Sequence, residues 1–296
     1  MKPLTYLLEN EYLSVNILHK GLEICSIKSK KTNLEYMWSA DQNVWGSHAP
    51  ILFPAIGSFK NNTCTIDGAV YEIPKHGFVR NNENFKVVKK DSTNLVVSLR
   101  DSEVTMKMYP FNFKLTISFS LIGQELKVNH KVENTGTKNL PFSLGGHPGF
   151  ACPLHDNEEY NDYYLEFEEQ ETASTTLLSH NGLITDRSKP ILVKSRKLRL
   201  HDHLFDEDAL IFKSLKSNSV RLKSSLSNQE LRVKFSDFDY LGIWAKPKAN
   251  FVCIEPWIGI ADHENTDGDF LKKEGSKLLE PGENFSAQYS IDILEV

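Results

Sequence analysis

The chain has 296 residues, a formal net charge of −5, 40% hydrophobic residues and 25% charged residues. These are the proportions of a globular protein with apolar mass enough for a sizeable core, and the acidic balance excludes the basic footprint of a nucleic-acid-binding protein. No run approaches the roughly 18 apolar residues that a membrane-spanning helix requires, so no membrane partner is expected.

The first residues, MKPLTYLLENEYL, lack the apolar stretch and small-residue cleavage site of a secretory signal, and a cytoplasmic location is the expectation. Cys25, Cys64, Cys152 and Cys253 are scattered without any CxxC spacing. Cys253, flanked by apolar residues, reads as a small core residue, and nothing demands a disulfide.

Strand periodicity dominates. Phe113, Leu115, Ile117, Phe119 and Leu121 alternate with polar neighbours, and Leu126, Val128, His130 and Val132 repeat the pattern after Ile122-Gly123-Gln124. That is a hairpin of two half-buried antiparallel strands. Further strands are expected at 96–99, 104–108, 163–167, 220–222, 231–235, 242–245, 251–254 and 285–294. Residues 203–212 are expected to hold a turn or two of helix. Asp67-Gly68, Asn181-Gly182 and Pro281-Gly282 supply turn punctuation. A basic cluster at Lys194, Arg196, Lys197 and Arg199 lacks interleaved aromatic residues and reads as a solvated strand edge or loop. Neither an internal repeat nor a Pro/Ser/Gly-rich linker divides the chain, so residues 1–296 are expected to form one all-β domain, a large antiparallel β-sandwich.

Three segments break the strand rhythm: PILFPAIG (50–57) followed by KHGFVR (75–80), PFSLGGHPGF (141–150), and CIEPWIG (253–259). Each sets an ionisable residue among glycine, proline and aromatic residues. His147, between a Gly-Gly pair and Pro148, is either a loop hydrogen-bonder or a proton donor. Glu255 ends an apolar run, where a carboxylate is costly unless paired or hydrated. It is either an edge-strand residue reaching water or a general base made more basic by desolvation. His76 and Arg80 are four apart and share a face if extended. His76, His147 and Glu255 are also a conceivable zinc set, although no local metal spacing such as HExxH is present, and no metal is expected.

In this order, PILFPAIG, HGFVR, YPFNF, LPFSLGGHPGF, CIEPWIG and LEPGE resemble the aldose 1-epimerase (galactose mutarotase-like) superfamily, most closely its LacX-like branch. The resemblance covers nearly the whole chain and implies a supersandwich with a sugar cleft on one curved sheet. It implies Glu255 as general base, His147 as general acid, and His76 as a second histidine touching the sugar, with Arg80 ending the same motif. Asp206 or Asp208, in LFDEDALIF, matches a substrate-binding aspartate. One departure is Ser58, where many relatives carry an arginine; nearby Lys60 offers charge but no planar fork.

The implied chemistry is anomer exchange on a free aldose, without metal or organic cofactor. A base takes the C1 hydroxyl proton, an acid protonates the ring oxygen, and the open aldehyde recloses from its other face. Protonated His147 is the expected acid. Trp257, Phe78, Phe150 and Trp244 are candidate stacking surfaces, although Trp244 also reads as core. The alternative is a non-catalytic carbohydrate-binding or sugar-sensing protein on the same fold. A glycoside hydrolase fits less well, because those enzymes generally use two carboxylates.

Overall fold

The computed structural model describes residues 3–294, so the two residues at either end of the expected 1–296 domain lie outside it. The described residues hold 22 strands, and every pairing between named strands is antiparallel. A nine-stranded sheet runs from Ile184–Arg199 through Tyr163–Leu178, Ser219–Ser224, Glu230–Lys234, Asn284–Leu294, Glu125–Asn134, Phe113–Ile122 and Asn94–Arg100 to Lys86–Lys90. A second sheet orders Leu210–Phe212, Tyr240–Trp244, Phe251–Ile258, Leu144–Gly146 and Ile51–Leu52, with Gly149–Ala151 also paired to Phe251–Ile258.

The alternation read from the sequence is what fills the space between these sheets. Along Phe113–Ile122 and Glu125–Asn134 every second residue is buried, and their register, Leu126 opposite Leu121, closes on a turn at Gly123-Gln124. The inward faces meet the second sheet directly. Phe167 and Phe212 approach edge to face at 6.1 Å, and Phe53 lies 5.3 Å from Phe113. This is the large antiparallel β-sandwich expected from the sequence.

Two local expectations are corrected, and one small sheet is added. Residues 104–108 belong to the helix Glu103–Met108, not a strand. Ser102 caps it, accepting the Thr105 N–H while the Thr105 hydroxyl accepts from the Ser102 N–H, and five residues of alternation were too short to show this. Residues 203–212 form turns that lead into the strand Leu210–Phe212, not a helix. Three early strands, Thr5–Glu9, Leu13–Leu18 and Ile24–Ser29, form a separate small sheet that the sequence reading did not foresee. The basic cluster lies along Ile184–Arg199, the outer strand of the nine, with its charged residues exposed.

Candidate active site

Glu255 sits in Phe251–Ile258, which has strand neighbours on both sides, so the edge-strand alternative is ruled out. Every residue of that strand is buried, and Glu255 is 1% exposed. His147 comes from the break between Leu144–Gly146 and Gly149–Ala151, both of which pair with the same strand. Gly145 is opposite Trp257 and Gly149 is opposite Cys253. Carried inward from either end, that antiparallel register sets His147 across from Glu255. Pro148 interrupts the ladder there, and the His147 backbone N–H donates to Pro50 O instead, at 3.0 Å.

Nε2 of His147 lies 3.2 Å from Oε2 of Glu255. The approach is not aligned as a hydrogen bond. His147 Nδ1, Glu255 Oε2 and Trp257 Nε1 are all buried without a hydrogen-bond partner. Buried polar atoms are nearly always paired, so unpartnered atoms grouped around one cavity suit a site that takes a polar ligand or water. The cavity is about 300 Å³. Its polar lining comes from Lys75, His76, Arg80, His147, Asp208 and Glu255, and its apolar lining includes Trp45, Trp244, Trp257 and Ile211.

Burial raises the Glu255 carboxyl well above the carboxylate range, and the nearby Asp208 adds to this; Lys75 and Arg80 oppose it. Burial, then Arg80 and Lys75, drive the His147 imidazole well below its usual value. These shifts favour a neutral ring beside a protonated acid, rather than the protonated histidine expected. The two forms differ only in which partner holds one shared proton, and the two groups lie 3.2 Å apart.

His76 and Arg80 are brought together, though not along an extended strand. His76 takes a left-handed conformation, φ 65°, and Arg80 lies in a single tight 3-10 turn, Val79–Asn81. Gly77 is required between them, since a Cβ there would stand 2.0 Å from the Phe53 carbonyl oxygen. Gly57 N–H donates to His76 Nδ1 at 3.2 Å, which assigns the ring proton to Nε2. Burial, with His147, Lys75 and Arg80 nearby, keeps that ring neutral. It faces His147 edge to face at 5.7 Å.

The two aspartates are separated by the structure. Asp208 lines the cavity, whereas Asp206 is exposed outside it and pairs with His203 at 2.9 Å. Trp257 forms a wall, lying flat across Gly242, where a Cβ would come within 2.5 Å of the indole. Trp244 lines the cavity rather than only the core. Phe78 and Phe150 do not line it: both are buried, Phe78 against Phe53, Tyr109 and Phe113. Lys60 is also outside the cavity, its backbone N–H bound to Asp262 and its ammonium directed at the Thr266 carbonyl.

Trp45 is the principal residue missed by sequence reading. Its ring stacks on His147 at 5.0 Å and on Phe251 at 5.2 Å. It lies outside the three irregular motifs, and only the fold brings it there. A metal set of His76, His147 and Glu255 is not what the described residues cluster: the three metal-ligating side chains grouped within 4.8 Å are His147, Cys253 and Glu255. Burial holds the Cys253 thiol well above its usual value, in the form that binds metal poorly.

Residues 4–292 match the family model for aldose 1-epimerase, and the chain belongs to that family. It is 36% identical to the plasmid-encoded protein LacX of Lactococcus lactis subsp. lactis, covering 98% of this chain and 100% of LacX. It superposes on a galactose mutarotase related enzyme from Lactobacillus acidophilus with a TM-score of 0.93 at 36% identity, covering 99% and 98% of the two chains. A galactose mutarotase-like protein from Lactobacillus casei ATCC 334 gives 0.92 at 27% identity, covering 98% of this chain and 100% of that one. Galactose 1-epimerase from Lactobacillus acidophilus NCFM, at 16% identity and a TM-score of 0.72 over 98% and 94% of the chains, shares the fold.

Proposed function

We propose that this chain is an aldose 1-epimerase, a cofactor-independent isomerase that interconverts the α and β anomers of a free aldose. The observation that carries the reading is the contact of Glu255 with His147 at the wall of a polar–aromatic cavity. O1 and O5 of a pyranose share one carbon, so a base and an acid in contact with each other can address both. In its ionised form Glu255 removes the O1 proton while His147 delivers one to O5, and the C1–O5 bond opens. The proton that left His147 is replaced in number by the one on Glu255, which returns the pair to its neutral form. After rotation about C1–C2 the transfers run in reverse and the ring closes on its other face.

His76 Nε2–H is placed to donate to a sugar oxygen as charge develops, and Arg80 supplies a fixed cation at the same wall. Asp208 accepts from a sugar hydroxyl, and the indoles of Trp257 and Trp244 cover the C–H faces of the ring. Cavity residues drawn from positions 45 to 261 favour reading residues 1–296 as one working domain. A cytoplasmic location fits the same reading.

The test is the anomer-exchange rate across neutral and phosphorylated aldoses, by polarimetry or NMR saturation transfer, with Glu255→Gln and His147→Asn beside wild type. Acceleration by wild type, lost in both variants while sugar binding persists, supports the epimerase. Binding without acceleration in wild type turns the reading to the non-catalytic sugar-binding protein.

A further inference from the structure

His147 is held from behind by residues 45–50. The Trp45 ring stacks on it at 5.0 Å, and the Pro50 carbonyl accepts from its backbone N–H at 3.0 Å. Two residues further on, the Gly149 N–H donates to the His48 carbonyl at 2.8 Å. The same segment also holds a second lining residue, because Ser47 Oγ accepts from the Arg80 guanidinium at 3.2 Å. Both a proton-transfer group and a cation are therefore placed by six residues that contain no strand before Pro50.

That segment is fastened by a side chain from the residue just before the third strand of the small N-terminal sheet. Oε2 of Glu23, a buried residue, accepts the backbone N–H of His48 at 2.6 Å and of Ala49 at 3.0 Å. Trp38 adds two bonds: its Nε1–H donates to the Trp45 carbonyl at 2.8 Å, and its own carbonyl lies 2.7 Å from His48 Nδ1. Glu23 directly precedes Ile24–Ser29, in the small N-terminal sheet, and does not line the cavity. A buried carboxylate is costly to desolvate, and bonds from backbone amides to a charged acceptor are among the stronger ones. Its target here is a loop, where two extra bonds matter more than in a strand already fixed by its ladder.

We infer that Glu23 is a positioning residue for the acid–base site, acting through His48 and Ala49 to hold Trp45 and Pro50 against His147. The inference rests on the epimerase reading for its kinetic consequence, but its structural consequence is independent of any substrate. It gives the N-terminal sheet a part in the chemistry without any contact with the sugar.

The experiment compares Glu23→Ala, Glu23→Gln and Glu23→Asp by kinetics, thermal melting, and NMR of the histidine rings with His147→Asn as assignment control. Glu23→Ala is expected to lower kcat by roughly ten- to a hundredfold, the cost of misplacing a reacting group by about an ångström, with a smaller change in KM. The His147 ring signals should shift with it. Glu23→Gln keeps a carbonyl oxygen for both amides and should restore the rate and the ring signals. Glu23→Asp withdraws the acceptor by one methylene and should behave like Glu23→Ala, which keeps the test open if the alanine variant does not fold. A folded alanine or aspartate variant with wild-type kcat and unmoved His147 signals overturns the inference, whatever its melting temperature. So does a folded glutamine variant as impaired as the others. If wild type turns over no sugar, the ring signals alone decide it.

Discussion

His147 and Glu255 are cross-strand partners in a ladder that Pro148 interrupts: the Gly145–Trp257 and Gly149–Cys253 pairs on either side set their register, and the side chains close to 3.2 Å. Sheet pairing sets the register, residues 45–50 hold the His147 ring within it, and the pair acts as a unit. Glu255→Gln and His147→Asn should each lower kcat/KM by about 10²–10⁴-fold, the range for a general acid or base. The double variant should lose little more than the worse single one, because a proton relay fails when either member is gone. Losses that multiply would show that the two residues act independently.

The charges around that pair set a pH profile. Adding a second proton to it means charging His147, which burial and the two cations oppose, so the acid limb of kcat/KM should lie below pH 6.5. Removing the shared proton leaves an anion on Glu255, which burial also opposes, so the alkaline limb should lie well above the carboxylate range. Lys75 favours the carboxylate and disfavours the imidazolium. Lys75→Met should therefore move both limbs to higher pH. A profile that stays put in this variant, or one whose limbs shift to lower pH, rejects the electrostatic account.

Asp206 and Asp208 were equivalent by motif and are not equivalent in space. Asp208→Asn should raise KM several-fold and, by removing a negative charge near Glu255, let that carboxyl ionise at lower pH. Asp206→Asn breaks only an exposed pair with His203, a kind of contact that contributes little to stability, and should leave KM unchanged. Steady-state kinetics of the two variants side by side separate the assignments, and equal effects would remove the special place given to Asp208.

What could be read from the sequence and what could not follow from the range of each signal. Alternation is local, so Phe113–Ile122 and Glu125–Asn134 were plain, and the glycine and proline breaks around His147, His76 and Glu255 marked residues that now share one cavity. The helix Glu103–Met108 was hidden because one and a half turns of Val-Thr-Met-Lys-Met also alternate. Trp45 was missed because its neighbours carry no motif and its stacking on His147 is a contact made across the fold. Phe78 and Phe150 were misplaced for a related reason: an aromatic residue beside a site residue in sequence can point to the opposite face, and both point into the core. Asp208 needed a left-handed turn, φ 75°, to face the cavity, which its composition alone does not announce.

Gly242 makes room for the sugar-facing wall. Its partner across the ladder is Glu255, and Trp257 lies over it so closely that an added Cβ would be 2.5 Å from the indole ring. Its φ lies outside the left-handed region, so Gly242→Ala introduces bulk without backbone strain. The variant should cost about 1–3 kcal/mol, as overpacking in a close-packed interior does. It should also raise KM, because the displaced indole no longer lies flat against the cavity. A wild-type KM with an unchanged Trp fluorescence spectrum would show that the ring has slack to move.

The last prediction concerns stability and a histidine remote from the proposed chemistry. His130 lies in the nine-stranded sheet, fully buried, stacked on Tyr289 at 5.7 Å and edge-on to Phe238 at 6.5 Å. Burial lowers its pKa to about 4, and neither ring nitrogen has a hydrogen-bond partner. The unfolded chain takes up a proton on this residue near 6.5 while the folded one does not, so stability is fully present above that value and falls as the pH drops toward 4. A displacement of that size corresponds to about 3 kcal/mol. His130→Phe should keep the aromatic packing and remove the titration, leaving a shallower acid limb in urea unfolding measured between pH 7 and 4. The slope should fall by about one proton, by linkage. An acid limb as steep as that of wild type would mean that His76, His147 or the carboxylates govern acid unfolding instead.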